Sequence, residues 1–257
     1  MIESVTHDMI IAYTYSKKVK GSGTDGIFLA MVDAAGKVTK YKNGYYEFPL
    51  NELQKFETAR RKRKMEKKDD YEAPNIKVRN VLIDQAGGVL ITCEEFYLVV
   101  TSSYSASTHS TTYYYTYHYE DILAAKVSAD GKFEWLRKIP KMQKGTTTGG
   151  MGSLPGTMGY KLIADASGYY FLFLDNKKNV ELAEDEAPKY HVDGAGGQVM
   201  VAKIDPKGVV SKELLFDTRD EDVMVFPRKF NQINSSQFIG RAKVNKKTFR
   251  PLLITVN

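Results

Sequence analysis

The stretches DGIFLAMVDAAGKV (residues 25–38), EDILAAKVSADGKF (120–133) and GQVMVAKIDPKGVV (197–210) repeat one pattern. Aligned on their glycines Gly36, Gly131 and Gly208, each runs from an apolar strand carrying Ala30, Ala125 or Ala202 into a polar four-residue turn, then into a second strand. In DAAG, SADG and DPKG, an Asp or Ser at the first position bonds forward to the backbone. The Gly accepts the positive φ that closes a type I turn with a bulge. One such turn arises by chance, but three in the same strand context predict a repeated structural unit.

Working outward, a second hairpin precedes two of these: NVLIDQAGGVLITCEEF (80–96) and YKLIADASGYYFLFLDN (160–176). A weaker relative, FNQINSSQFIGRAKV (230–244), has serines in place of the glycine turn. The unit is therefore four strands long. The chain parses into a partial unit over 8–48, complete units over 76–140 and 159–216, and a partial unit over 222–256. This predicts an all-β fold of four-stranded antiparallel repeats, β-propeller-like, in a single domain over 1–257; a sandwich or stacked meander of similar hairpins is the alternative. Four blades is the small end of the range of about 4–8. The missing opening strand of the first unit and closing strand of the last fit a ring closed by its chain ends, or the C-terminal part of a larger propeller. An open fragment would expose strand edges and self-associate.

The repeated hairpins resemble those of uncharacterised bacterial β-propeller-like repeat proteins, often exported. The resemblance covers most of the chain and implies a scaffold, outside the cytoplasm, with its leader absent from this sequence. Residues 128–135, SADGKFEW, also resemble the Asp box of sialidases, Ser-x-Asp-x-Gly-x-Thr-Trp. Ser128, Asp130, Gly131 and Trp135 match after deletion of one residue, and Glu134 takes the threonine position. In that family the box is structural, so the resemblance implies a turn and no catalytic group.

Composition narrows the function classes. Seventeen Tyr and twelve Phe suit half-buried sheet surfaces. Cys93 is the only cysteine, which excludes an internal disulfide and a cysteine-based zinc site. No apolar run approaches the roughly 20 residues that span a bilayer. The net charge of +6 is matched by residues 55–68 alone, where eight basic residues face Glu57 and Glu66. The remainder sums to zero.

Four inserts interrupt the repeats, where function sits on a rigid scaffold. Residues 50–74 read as a basic surface helix with Leu50, Leu53, Phe56 and Met65 on its apolar edge, Asn51 as cap and Pro74 as stop. Arg60, Arg61, Lys62, Arg63 and Lys64 are its candidate contacts to an anionic polymer. Residues 101–120 read as a projecting hairpin, with Tyr113, Tyr115 and Tyr117 as candidate contacts to a protein or glycan. Residues 141–159 read as a flexible connector, since no Walker lysine follows the glycines. Residues 175–197 are an acidic loop ending near His191 and Asp193, without the intervals of a calcium loop, whose carboxylates complement the basic segment.

Enzyme signatures are weak. GMGSLPG lacks the Gly-x-Ser-x-Gly spacing, the histidines form no HExxH, and Glu94 and Glu95 beside Cys93 are expected to raise its thiol pKa. The expectation is a non-catalytic binding or structural module with a protein or glycan partner, no cofactor and no metal. A glycan-active hydrolase with acids converging in a central channel, and an anionic-polymer binder acting through the basic insert, are the alternatives. Nucleic acid is not the expected partner.

Overall fold

The computed structural model describes residues 1–3, 9–18, 23–68, 71–84, 86–234, 236–244 and 248–255. It is mostly β, with antiparallel sheets and two short helices. The chain opens with β1 (Ile2–Glu3), β2 (Met9–Tyr15), β3 (Gly23–Thr24), β4 (Gly26–Val32) and β5 (Val38–Glu47), of which β1, β2, β4 and β5 make one sheet in that order. Helices α1 (Leu50–Leu53) and α2 (Ala59–Glu66) follow, then β6 (Ala73–Pro74), which pairs with β3.

The next unit is a meander of β7 (Ile76–Ile83), β8 (Val89–Ser105), β9 (Ser110–Val127) and β10 (Phe133–Ile139). Its two middle strands are more than twice as long as β10. On one side of β9, β10 pairs with Ile122–Val127, while β11 (Gln143–Thr147) pairs with 115–119. The Gly/Thr segment read as a connector thus supplies a strand, since its threonines are β-branched strand formers.

A third sheet has the order β12 (Tyr160–Asp165), β13 (Gly168–Asp175), β15 (Gln198–Ile204) and β16 (Val210–Asp217); β14 (His191–Val192), between β13 and β15 in sequence, instead joins β11 in parallel. The last sheet is three strands wide. In it β17 (Val223–Val225) and β18 (Asn231–Asn234) lie in succession along one side of β19 (Gln237–Val244), with β20 (Thr248–Thr255) on the other.

The three repeated turns share one hydrogen-bond geometry. Gly36, Gly131 and Gly208 donate to the carbonyls of Asp33, Ser128 and Asp205 at 2.9 Å, and all three glycines have positive φ, 79–89°. The first-position side chain accepts from the backbone four residues on: Asp33 from Lys37 at 2.9 Å, Ser128 from Lys132 at 3.0 Å, Asp205 from Val209 at 2.8 Å. The Asp-box-like Asp130 is spent inside its own turn, on Ser128 and the Lys132 amide. Ala30, Ala125 and Ala202 are all buried.

The chain forms two compact units. The first is Met1–Phe96, Asp121–Pro140 and Ala183–Ala187; the second is Tyr97–Glu120, Lys141–Leu182 and Pro188–Asn257. In the first, Ile27 and Leu29 of β4 pack with Ile91 and Cys93 of β8 and Leu123, Ala125 and Val127 of β9, each set spaced by two as a strand face requires. In the second, Leu172 and Leu174 meet Val199, Val201, Phe230 and Phe238. Each Val, Leu, Ile or Phe side chain among them contributes about 1.5–3 kcal/mol by leaving water.

The helical insert is anchored to the first core by Leu53 and Met65. It is two helices and not one, because Phe56 has φ 59°, which no α-helix continues through. The cap is Thr58, whose side chain accepts from Arg61 N at 3.3 Å; Asn51 lies inside α1, after Pro49. At the break, Phe56 N donates to the Glu184 carbonyl at 2.7 Å and Lys55 meets the Glu184 carboxylate at 3.1 Å, so the acidic loop does touch the basic segment. No described helix is long and apolar enough to cross a membrane.

Candidate functional site

The long arms of β8 and β9 present apolar side chains to solvent. Leu98, Val99, Val100, Tyr104, Tyr113 and Tyr114 are all exposed, Tyr104 by 64% and Tyr113 by 53%. Of the tyrosines expected to make contact, only Tyr113 is fully available. Tyr115 is half-buried opposite Thr147 of β11, and Tyr117, expected as a contact, is buried at 8% exposure opposite Gly145. At Gly145 the space a side chain would take is filled by Asp193, Met158 and Leu154.

Beneath the exposed arm is a ring of polar aromatics built around Glu120. The buried carboxylate accepts from Tyr97 Oη at 2.7 Å and Tyr190 Oη at 2.9 Å. His118 stacks on Tyr97, with centroids 4.3 Å apart and planes 7° from parallel, and its Nδ1 lies 3.4 Å from both Glu120 and Tyr190 Oη. Lys144 Nζ sits over the Tyr190 ring at 4.7 Å. Burial lowers the His118 pKa against the pull of Glu120. Burial, reinforced by Glu120, holds the Tyr97 phenol protonated. A nucleophilic tyrosine needs the opposite shift. The arrangement braces the hairpin base. The sequence reading missed Tyr97, Glu120 and Tyr190 as a group because 70 residues separate the last two; the only local signal was the tyrosine-rich run itself.

The anionic-partner residues divide. Arg60, Arg63 and Lys64 are exposed and Lys62 is half-buried, but Arg61 turns inward to Glu57 at 3.2 Å and Glu95 at 3.8 Å. It joins a buried network in which Lys138 Nζ reaches Glu57 at 2.8 Å, Asp121 at 2.9 Å and the Leu53 carbonyl at 3.1 Å. Burial would discharge Lys138, but Asp121 and Glu57 outweigh it and raise its pKa. Part of the basic segment's charge therefore clamps the insert to its own unit.

Two further arrangements mimic catalysis without its geometry. Thr157, His191 and Asp193 lie together, yet Thr157 gives its hydroxyl proton to Asp193 at 2.6 Å, and Asp193 also accepts the amides of Thr157 and Gly156. His191 is left at 3.3 Å from the same hydroxyl, with a pKa lowered to about 4 by burial, and gains no proton from it. This is a loop clasp. The Cys93 thiol is pushed up to about 12, as expected in direction, but by burial and not by its glutamate neighbours. Among the described residues no three His, Cys, Asp or Glu side chains are grouped to hold a metal. Comparison of the chain with protein-family models, with curated proteins and with solved structures finds no match.

Proposed function

We propose that the protein is a non-catalytic, propeller-like binding module whose long β8–β9 hairpin docks a protein partner. One hydrogen-bonded turn recurring inside three of the four-stranded units supports the propeller reading, and the exposed apolar arm carries the functional one. Leu98, Val99, Val100, Tyr104, Tyr113 and Tyr114 place aliphatic and aromatic surface on one projecting element. Apolar exposure concentrated on one element favours an interaction site, and tyrosine supplies contact area at low entropic cost. The aliphatic residues favour a protein over a glycan, because sugars stack on rings and gain little from Val and Leu. The aromatic ring around Glu120 keeps the arm in a fixed pose, which reduces the ordering cost of association.

The test is site-specific photo-crosslinking, with a benzophenone side chain at Tyr113 or at the exposed turn residue Lys207. One discrete adduct from Tyr113, absent from Lys207, supports the reading. Equal labelling at both sites, or none, contradicts it, and binding to an immobilised glycan panel that survives loss of Leu98 and Val100 would move the partner to carbohydrate.

A further inference from the structure

The last sheet carries a second surface, independent of the hairpin. A groove of about 550 Å³ is lined by Arg228, Lys229, Asn231, Arg241, Phe249 and Arg250, among others. Its charge follows from register. In β19, Arg241 and Lys243 are two residues apart and so share a face, and they pair across to Pro251 and Phe249 of β20. Arg228 and Lys229 arrive from the 3₁₀ turn Pro227–Lys229. That turn is pinned by the next residue, Phe230, whose buried ring lies within 2.4 Å of where a side chain on Gly240 would start. Only glycine at 240 lets the ring seat, and the seated ring fixes the two cations beside the strand.

The two cations of β19 are held against one aromatic ring. The Arg241 guanidinium lies over the Phe249 ring at 5.6 Å and Lys243 Nζ over the same ring at 6.0 Å. Among the described residues no carboxylate lines the groove. Three arginines and a lysine among the residues lining one open cavity are a large unbalanced charge. A single carboxylate ligand would leave most of it uncompensated, whereas each phosphate group brings about −1.5 to −2 and suits the planar guanidinium fork.

We propose that this groove binds a small ligand bearing two or more linked phosphate groups. Arg241 holds one end from β19, and Arg228 and Lys229 hold the other from the turn; Arg250, paired with Ala242, lies at the rim. A groove of about 550 Å³ has room for a compact polyphosphate.

The test is calorimetric titration of the full chain with inorganic tripolyphosphate at low salt. Saturable binding is expected, tighter than for orthophosphate and weakened as salt rises. The R241A variant is expected to bind about tenfold or more weakly at an unchanged melting temperature, and K229E, on the exposed turn, to lose affinity in the same direction. A control lacking the distant exposed lysines, K37A/K207A, should bind as the parent does. Three results overturn the proposal: no saturable binding, equal weakening in the control, or tight binding of a single-stranded oligonucleotide that grows with its length while tripolyphosphate does not compete.

Discussion

Replacing Lys138 by Met tests the clamp that holds the helical insert to the first unit. The side chain is buried, with its ammonium shared by Glu57 at 2.8 Å, Asp121 at 2.9 Å and the Leu53 carbonyl at 3.1 Å. Methionine fills nearly the same volume, so little of the effect comes from a cavity. What changes is that two carboxylates lose their shared counter-charge, and breaking a buried pair from one side costs about 3–5 kcal/mol. The backbone anchor survives, because the Lys138 amide donates to Glu52 Oε1 at 3.0 Å whatever the side chain. The pH signature is also fixed. The lysine pKa is raised in the folded state, so its contribution is complete below its unfolded value of 10.5 and lost only above it. The difference between the parent and K138M, measured by urea unfolding, is therefore expected to show no titration of the lysine between pH 6 and pH 9. The double variant K138M/D121N should recover part of the loss, since it neutralises one carboxylate while Glu57 keeps Arg61 at 3.2 Å. A K138M cost below about 1 kcal/mol, the size of an exposed ion pair, would refute the reasoning, as would a K138M/D121N variant less stable than K138M.

Other expectations follow from single groups. His191, depressed from 6.5 to about 4 by burial, keeps its full contribution above its unfolded pKa and loses it as pH falls towards 4. That acid loss is on the order of 3 kcal/mol, and unfolding midpoints of H191Q should be flatter across the same window. Gly36→Ala places a methyl where no atom lies within 4 Å, so its cost is the strain of φ 79° alone, about 1–2 kcal/mol by urea unfolding. A neutral result would mean that the turn is not held in this geometry.

How much was legible from sequence divides along physical lines. The hairpin turns were readable because Asp or Ser followed three residues later by Gly determines its own hydrogen bonds. The strands beside them were readable because burial imposes a two-residue period. The break at Phe56 was not, since nothing local marks a phenylalanine that turns left-handed to meet Glu184. Burial of Tyr117 depends on β11, whose Gly/Thr composition also suits a loop. Arg61 looked like its neighbours in a basic run until tertiary structure set it beside Glu57 and Glu95. The groove in the last sheet was hidden by arithmetic: outside 55–68 the charges cancel, yet no acidic residue follows Asp222, while Arg228, Lys229, Arg241 and Arg250 all do. A running charge balance along the chain would have exposed it; register was still needed to bring those residues to one groove.

The central claim is that the outer hairpin exists for contact and not for folding. The most direct measurement is the thermal midpoint of a Y104S/Y113S/Y114S variant against the parent. These side chains are exposed, and exposed substitutions cost within about 0.5 kcal/mol each. At about 2–4 °C per kcal/mol for a chain of this size, the account predicts a shift of a few degrees at most. A fall of about 10 °C or more would make the tyrosines part of the fold and contradict the proposed function.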